Sequence, residues 1–252
     1  MNILHKNSRP RGIFLLPNLF TIGSFFAGFF AIIASFKGSY DNAAIAIFVA
    51  MIMDSLDGRV ARMTNTMTAF GAEFDSLADM VSFAIAPAVL AYTWGLSVLG
   101  KFGWLSAFVY MVTVALRLAR FNTQIGNVDK RYFQGLPCPS AAAVVTSFVW
   151  ICYDFAFTSN LAMVILAFVM IIVGILMVSN IRFRSFKDAE LKDHVPFVVI
   201  LITVLVVVLI TFDPSKVLFV VFAGYAISGP VATVWGLQQK KRMRRKFFKL
   251  NQ

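Results

Sequence analysis

The chain has 252 residues, 59% of them hydrophobic and only 14% charged, and its 23 Lys and Arg outnumber its 12 Asp and Glu to give a net charge of +11. Soluble domains carry about 25% charged residues, so this composition, with a mean hydropathy of +0.78, excludes an ordinary soluble protein and points to one membrane-embedded domain spanning 1–252. The basic residues are spread over loop ends rather than gathered on a folded module, which argues against nucleic acid as a partner.

Apolar windows of about 20 residues predict an all-α integral membrane protein with eight transmembrane helices, near 15–36, 41–62, 71–93, 104–120, 138–156, 160–181, 195–212 and 215–236. Lys6, Arg9 and Arg11 ahead of the first run resemble a signal peptide, but the run is too long and lacks a small-residue cleavage site, so it is read as a retained helix. It opens with Leu16-Pro17-Asn18-Leu19-Phe20-Thr21, where Pro17 loses little at a first turn and Asn18 is suited to capping.

The second and third spans hold the informative residues: Asp54-Ser-Leu-Asp57-Gly58-Arg59-Val-Ala61-Arg62, then eight residues, then Gly71-x3-Asp75-x3-Asp79. One ionisable residue near a bilayer centre costs about 2.5–3.5 kcal/mol on insertion scales, so such residues mark ion, proton or substrate sites. On a helix Asp54, Asp57, Gly58 and Ala61 share one stripe, and Gly71, Asp75 and Asp79 share another. A lone Asp-x2-Asp at a cytosolic helix end is usually a solvated terminus; here the acidic pair recurs on the next helix, beside two glycines and an arginine. Carboxylates are hard ligands suited to Mg²⁺ or Mn²⁺, and two such ions would neutralise four aspartates. Gly58 and Gly71 allow a ligand close to the backbone, and Arg62 offers a planar fork for phosphate.

Further along, Ala115-Leu-Arg117-Leu-Ala-Arg120-Phe-Asn122 ends the fourth span, and Phe133-Gln134-Gly135-Leu136-Pro137-Cys138-Pro139-Ser140 makes a Gly/Pro-broken entry to the fifth. Arginines at such an end ordinarily snorkel to headgroups, whereas broken backbone at membrane depth is tolerated where it is buried in protein or lines a cavity. Cys138 and Cys152 fit no metal or redox spacing and are expected to pack as apolar groups; His5 and His194 have no partner in sequence and receive no role. Twenty of the 23 basic residues fall at the amino end, in even-numbered loops or in the tail at 238–252, leaving Lys37, Lys101 and Lys216 on the other side. That bias predicts both termini and the aspartate motif at the cytoplasmic face, with the tail cluster Lys240–Lys249 held by anionic membrane lipids.

The string Asp54-x2-Asp57-Gly58-x2-Ala61-Arg62-x8-Gly71-x3-Asp75-x3-Asp79 resembles the complete signature of the CDP-alcohol phosphatidyltransferase family, with all eight defining positions filled. The resemblance implies an integral membrane enzyme, usually a homodimer, that moves a phosphatidyl group from a CDP-linked lipid to an alcohol and releases CMP. It implies Asp54, Asp57, Asp75 and Asp79 as metal ligands, Asp79 also as the general base, Arg62 and Thr68 on phosphate, Gly58 as room for the nucleotide, and Asn18 and Thr21 beside the cytidine-diphosphate site, where plain capping is the alternative for Asn18.

The segment 115–141 resembles the integral-membrane phosphatidylserine synthase branch of that family. This implies CDP-diacylglycerol and L-serine as substrates in the cytoplasmic membrane, with Arg117, Arg120 and Asn122 near the acceptor and Arg120 preferred over Arg117 for the serine carboxylate. Two rival readings are a family member using glycerol 3-phosphate or an inositol phosphate as acceptor, and a cation transporter. The transporter gives no reason for Gly58, Ala61, Arg62 and Gly71 at their spacing.

Overall fold

The computed structural model describes residues 15–64, 66, 68–123, 132–184 and 197–250. Helix α1 (Leu15–Phe36) turns into α2 (Tyr40–Thr64) through Lys37-Gly38-Ser39. Gly38 takes φ +75°, and the amides of Gly38 and Ser39 donate to the carbonyls of Ser35 and Ala34 at 3.1 and 3.0 Å, closing the helix with the paired bonds of a glycine C-cap. The two helices pack along each other more extensively than any other pair. Their buried residues are mostly small: Ala27, Ala31 and Ala34 on α1, and Ala43, Ala46 and Ala50 on α2. Where lipid removes the hydrophobic drive between helices, close backbone approach at such residues supplies much of the affinity.

The next rod is predicted as one helix and is built in three parts: α3 (Ala69–Asp79), a wider turn over Met80–Ile85, and α4 (Ala86–Trp94). Within the wide turn the Ala86 amide donates five residues back, to the Val81 carbonyl, a π-type bond. A short 3₁₀ turn (Leu96–Leu99) leads to α5 (Lys101–Thr123), followed by α6 (Cys138–Asp154), α7 (Asn160–Val178), α8 (Phe197–Phe212) and α9 (Pro214–Leu250). Helix α5 lies along α7, and α6 is packed by α2 and α9. The eight rods formed by the described residues fall where the sequence places spans. Five of them are long and apolar enough on their own to cross a membrane; α2 is diluted by Asp41, Asp54, Asp57, Arg59 and Arg62, while α6 and α8 are short, at 17 and 16 residues.

Two features depart from the expected outline. The last helix does not stop near 236 but continues to Leu250, so the basic segment 240–249 is an extension of α9. And two three-residue strands, β1 (Tyr132–Gln134) and β2 (Arg182–Arg184), pair antiparallel with Phe133 opposite Phe183, joining the entry to α6 to the segment after α7; the other described elements are helical. Gly135 follows β1 with φ +78°, and a Cβ there would run into the Met177 carbonyl; the amides of Gly135 and Leu136 instead bond Ile181 and Leu176 at 2.9 and 3.1 Å. This glycine fixes the α6 entry against the end of α7. The large exposed side chains, such as Phe26, Phe29 and Phe30 on α1 and Leu201, Val204, Leu205 and Val208 on α8, form the apolar belt expected of a multi-pass membrane protein in contact with hydrocarbon.

Candidate metal and phosphate site

Helix α2 runs without a break through the acidic motif, which puts Asp54 and Asp57 one turn apart on one face. Between the end of α2 and the start of α3 the Thr66 amide donates to the Ala61 carbonyl at 3.1 Å, and the Thr64 and Thr66 hydroxyls meet at 2.7 Å. Thr68 then caps α3 in extended backbone, its Oγ1 accepting the Gly71 amide at 3.0 Å. This arrangement brings Asp75 and Asp79 alongside α2. Carboxylate oxygens of Asp54, Asp57 and Asp75 lie within 4.8 Å of one another, and Asp54 also abuts Asp79. Asp57 is buried and Thr21, reaching over from α1, donates to its Oδ2 at 2.8 Å.

Charge explains why this cluster needs a ligand. Two carboxylates at 4.8 Å repel by about 3.5 kcal/mol at an effective dielectric of about 20, so three ionised together carry on the order of 10 kcal/mol of mutual repulsion. The protein supplies little to offset it. Asp75 Oδ1 and Asp79 Oδ1 are shut away from solvent without a hydrogen-bond donor among the described residues, although buried polar atoms are nearly always satisfied. Hard oxygens converging from two helices, with orphaned lone pairs among them, fit a divalent cation such as Mg²⁺ or Mn²⁺.

Around the acids the other motif positions form a mouth. A Cβ on Gly58 would meet only Arg62 Nη1, at 3.5 Å. Among the described residues, the protein's own packing therefore does not demand glycine there. A Cβ on Gly71 would stand 3.1 Å from Thr68 Oγ1 and 3.6 Å from Asn18 Oδ1, so Asn18, Thr68 and Gly71 converge from the α1 and α3 starts. Thr68 is more than an exposed loop residue: its hydroxyl is part of the helix cap. Arg62 is exposed, with its charge near Asp57.

The second group of predicted residues divides. Asn122 Nδ2 donates to Ser76 Oγ at 3.0 Å, tying the end of α5 to α3 next to Asp75. Arg120 is occupied with structure: Nη2 donates to Gln134 Oε1 at 2.6 Å and Asn180 Oδ1 at 2.9 Å, and Nη1 to the Val178 carbonyl at 3.3 Å. It stitches α5 to the β1–β2 corner and the end of α7. Arg117 instead turns into the bundle. Its Nη1 donates to Cys138 Sγ at 3.0 Å, its Nε is buried without a hydrogen-bond partner among the described residues, and Cys138 feels the charges of Asp79 and Asp54. Cys138 packs in the buried core as expected and also accepts the inner arginine's hydrogen bond; the Gly/Pro break ahead of it was the available signal for the second role, because such a break sets the depth at which α6 begins.

Comparison with known proteins agrees with this geometry. A family model described as CDP-alcohol phosphatidyltransferase matches residues 14–175. The chain is 36% identical over 218 residues to the CDP-diacylglycerol–serine O-phosphatidyltransferase of Helicobacter pylori, covering 86% of this chain and 90% of that one. It is 35% identical over 172 residues to the enzyme of the same name from Bacillus subtilis, covering 68% of this chain and 91% of that one. It is 38% identical over 173 residues to the archaetidylserine synthase of Methanothermobacter thermautotrophicus, covering 67% and 69%.

The repulsion within the cluster yields a prediction of unusual sign. In protein stripped of metal, Asp75→Asn removes one of the crowded charges and raises the midpoint of thermal unfolding in detergent above that of wild type. Adding Mg²⁺ or Mn²⁺ then stabilises wild type strongly and the variant little. A variant less stable than metal-free wild type, or stabilised equally by the ions, would contradict the reading of these carboxylates as mutually repelling ligands.

Proposed function

This chain belongs to the CDP-alcohol phosphatidyltransferase family, and we propose that it transfers the phosphatidyl group of CDP-diacylglycerol to the hydroxyl of L-serine, yielding phosphatidylserine and CMP. The observation that carries this reading is the pairing of a four-aspartate cluster with an inward arginine whose Nε is buried without a hydrogen-bond partner among the described residues. The cluster suits a lipid pyrophosphate and its cations, and the arginine suits an acceptor that brings its own carboxylate. The serine acceptor is also the one named for the Helicobacter and Bacillus relatives.

Asp54, Asp57, Asp75 and Asp79 would hold divalent cations, two of Mg²⁺ or Mn²⁺, which would neutralise charge on the pyrophosphate and on the departing CMP. Asp57 is fixed in its rotamer by the Thr21 hydroxyl. Arg62 takes phosphate oxygens at the mouth, Gly58 leaves space for the nucleotide, and Asn18 and Thr68 offer polar atoms beside it. Asp79 has two oxygens with separate tasks: one is turned to Asp54 and would hold a cation, and Oδ1, which no donor among the described residues reaches, accepts the proton of the serine hydroxyl. The serine oxygen forms its bond to the diacylglycerol-bearing phosphorus as the bond from that phosphorus to CMP breaks.

Arg117 rather than Arg120 holds the serine carboxylate. A guanidinium N–H shut away from water, as Arg117 Nε is, costs about 1–3 kcal/mol to leave unpaired, and a carboxylate satisfies it with charge-assisted bonds. Asn122 keeps α5 and this arginine in register with Asp75 through Ser76. The bias of basic residues sets the mouth at the cytoplasmic face of the cell membrane, where CDP-lipid headgroups and free serine meet. The working unit is a homodimer surrounded by membrane lipids.

Purified protein given CDP-diacylglycerol and a panel of alcohols should release CMP with L-serine and not with glycerol 3-phosphate or an inositol phosphate, and Asp79→Asn should abolish release while retaining CDP-diacylglycerol binding. CMP release supported by a phosphorylated polyol instead would transfer the protein to another acceptor class. Arg117→Ala should raise KM for serine at least tenfold with a much smaller change in KM for CDP-diacylglycerol, whereas Arg120→Ala should chiefly lower the unfolding midpoint. The reverse pattern would return the carboxylate to Arg120.

A further inference from the structure

Asp79 is the last residue of α3, and the wide turn begins with the next residue. Pro87 accounts for that turn. A proline has no N–H, so Pro87 cannot donate to the carbonyl four residues earlier, that of Phe83, and its ring presses against that carbonyl. The helix widens just upstream, as the five-residue bond from the Ala86 amide to the Val81 carbonyl records. The Phe83 carbonyl is left without its α-helical donor in a fully buried position, where an unsatisfied carbonyl costs about 1–3 kcal/mol.

Tyr110 supplies the donor from outside the helix. Its side chain, on α5, is fully buried, and its hydroxyl donates to the Phe83 carbonyl at 2.8 Å. A second latch comes from α1: Ser82 Oγ donates to the Ser24 carbonyl at 2.9 Å, and Gly28 lets α1 approach so closely that a Cβ there would stand 2.8 Å from the Ser82 Cα. The wide turn is thus clamped on two sides by neighbouring helices. One residue in an α-helix corresponds to about 100° of rotation, so gaining or losing this extra residue would swing Asp79 relative to α4 by that order of angle.

We propose that Tyr110 is a positioning residue: by donating to the Phe83 carbonyl in place of Pro87 it holds the wide turn that aims Asp79 at Asp54 and Asp75. Tyr110 touches no substrate in this scheme and acts only through the helix that bears Asp79. The proposal rests on the metal and base roles given above to the aspartates, and π-type turns of this kind are often found at functional sites.

Tyr40 provides a matched control. Its hydroxyl also donates to a helix carbonyl, that of Thr93 at 2.9 Å, where α2 begins and α4 ends, far along the rods from the acids. The experiment compares wild type, Tyr110→Phe and Tyr40→Phe by thermal unfolding, by Mn²⁺ binding to substrate-free protein, and by kcat and KM. Both variants are expected to lose similar stability. Only Tyr110→Phe should bind Mn²⁺ at least fivefold more weakly and lose about tenfold in kcat at saturating Mn²⁺, with KM for serine within twofold of wild type. Equal behaviour of the two variants in Mn²⁺ binding and kcat would overturn the proposal and leave Tyr110 an ordinary buried hydrogen bond.

If Tyr110→Phe does not fold, the double variant Tyr110→Phe/Pro87→Ala decides, because residue 87 then offers its own amide to Phe83. It should fold and still bind Mn²⁺ weakly; recovery of wild-type Mn²⁺ affinity would overturn the proposal by showing that any donor suffices. Wild-type protein that binds no Mn²⁺ would instead defeat the reading of the aspartates themselves, a failure distinguishable from that of the Tyr110 proposal.

Discussion

Like charges forced together inside a membrane bundle are the constraint on which the rest of this structure depends. Asp54, Asp57 and Asp75 hold carboxylate oxygens within 4.8 Å of one another, with Asp79 against Asp54. Their repulsion exceeds what a single surface ion pair could offset, and among the described contacts Asp57 gains the Thr21 hydroxyl, the Gly58 backbone amide and the nearby charge of Arg62. Such an arrangement persists because the surrounding packing holds the two helices, and it becomes favourable when cations and a phosphorylated ligand enter. Stability is given up locally, and a preorganised site results.

The packing that resists the repulsion is made of modest parts. Small residues let α1 and α2 lie close along their length; the glycine cap at Gly38 sets their turn, and the Thr68 cap sets the start of α3. Asn122 and Arg120 then fasten the end of α5, one to α3 and the other to the β1–β2 corner. These contacts bring Arg117 and Cys138 in behind the acids. A basic and an acidic element thus face one interior from different helices, which is what a reaction joining an amino acid to a lipid phosphate requires.

Much of this was legible in the sequence because it depends on short-range periodicity. The three- and four-residue spacings of Asp54, Asp57 and Gly58, and of Gly71, Asp75 and Asp79, declare one face each, and the apolar windows mark the rods to within a few residues. What was not legible depends on contacts between distant segments. Arg117 and Arg120 sit three residues apart on the same helix end, and their different fates are decided by Gln134, Asn180 and Cys138, which only the folded chain brings near. The extension of α9 past 236 was missed because a run rich in Lys and Arg lacks the apolar signal although it is a good helix former. The wide turn after Asp79 did have a visible cause in Pro87 within an apolar run, but the donor that completes it, Tyr110, lies 27 residues from Phe83.

The most direct test is to locate the ions. Crystals of the protein grown with Mn²⁺ and CDP-diacylglycerol, measured for manganese anomalous scattering, should place signal among the carboxylates of Asp54, Asp57, Asp75 and Asp79, next to the pyrophosphate. Manganese bound elsewhere, or a nucleotide-lipid seated with those four side chains free of metal, would contradict the account at its base.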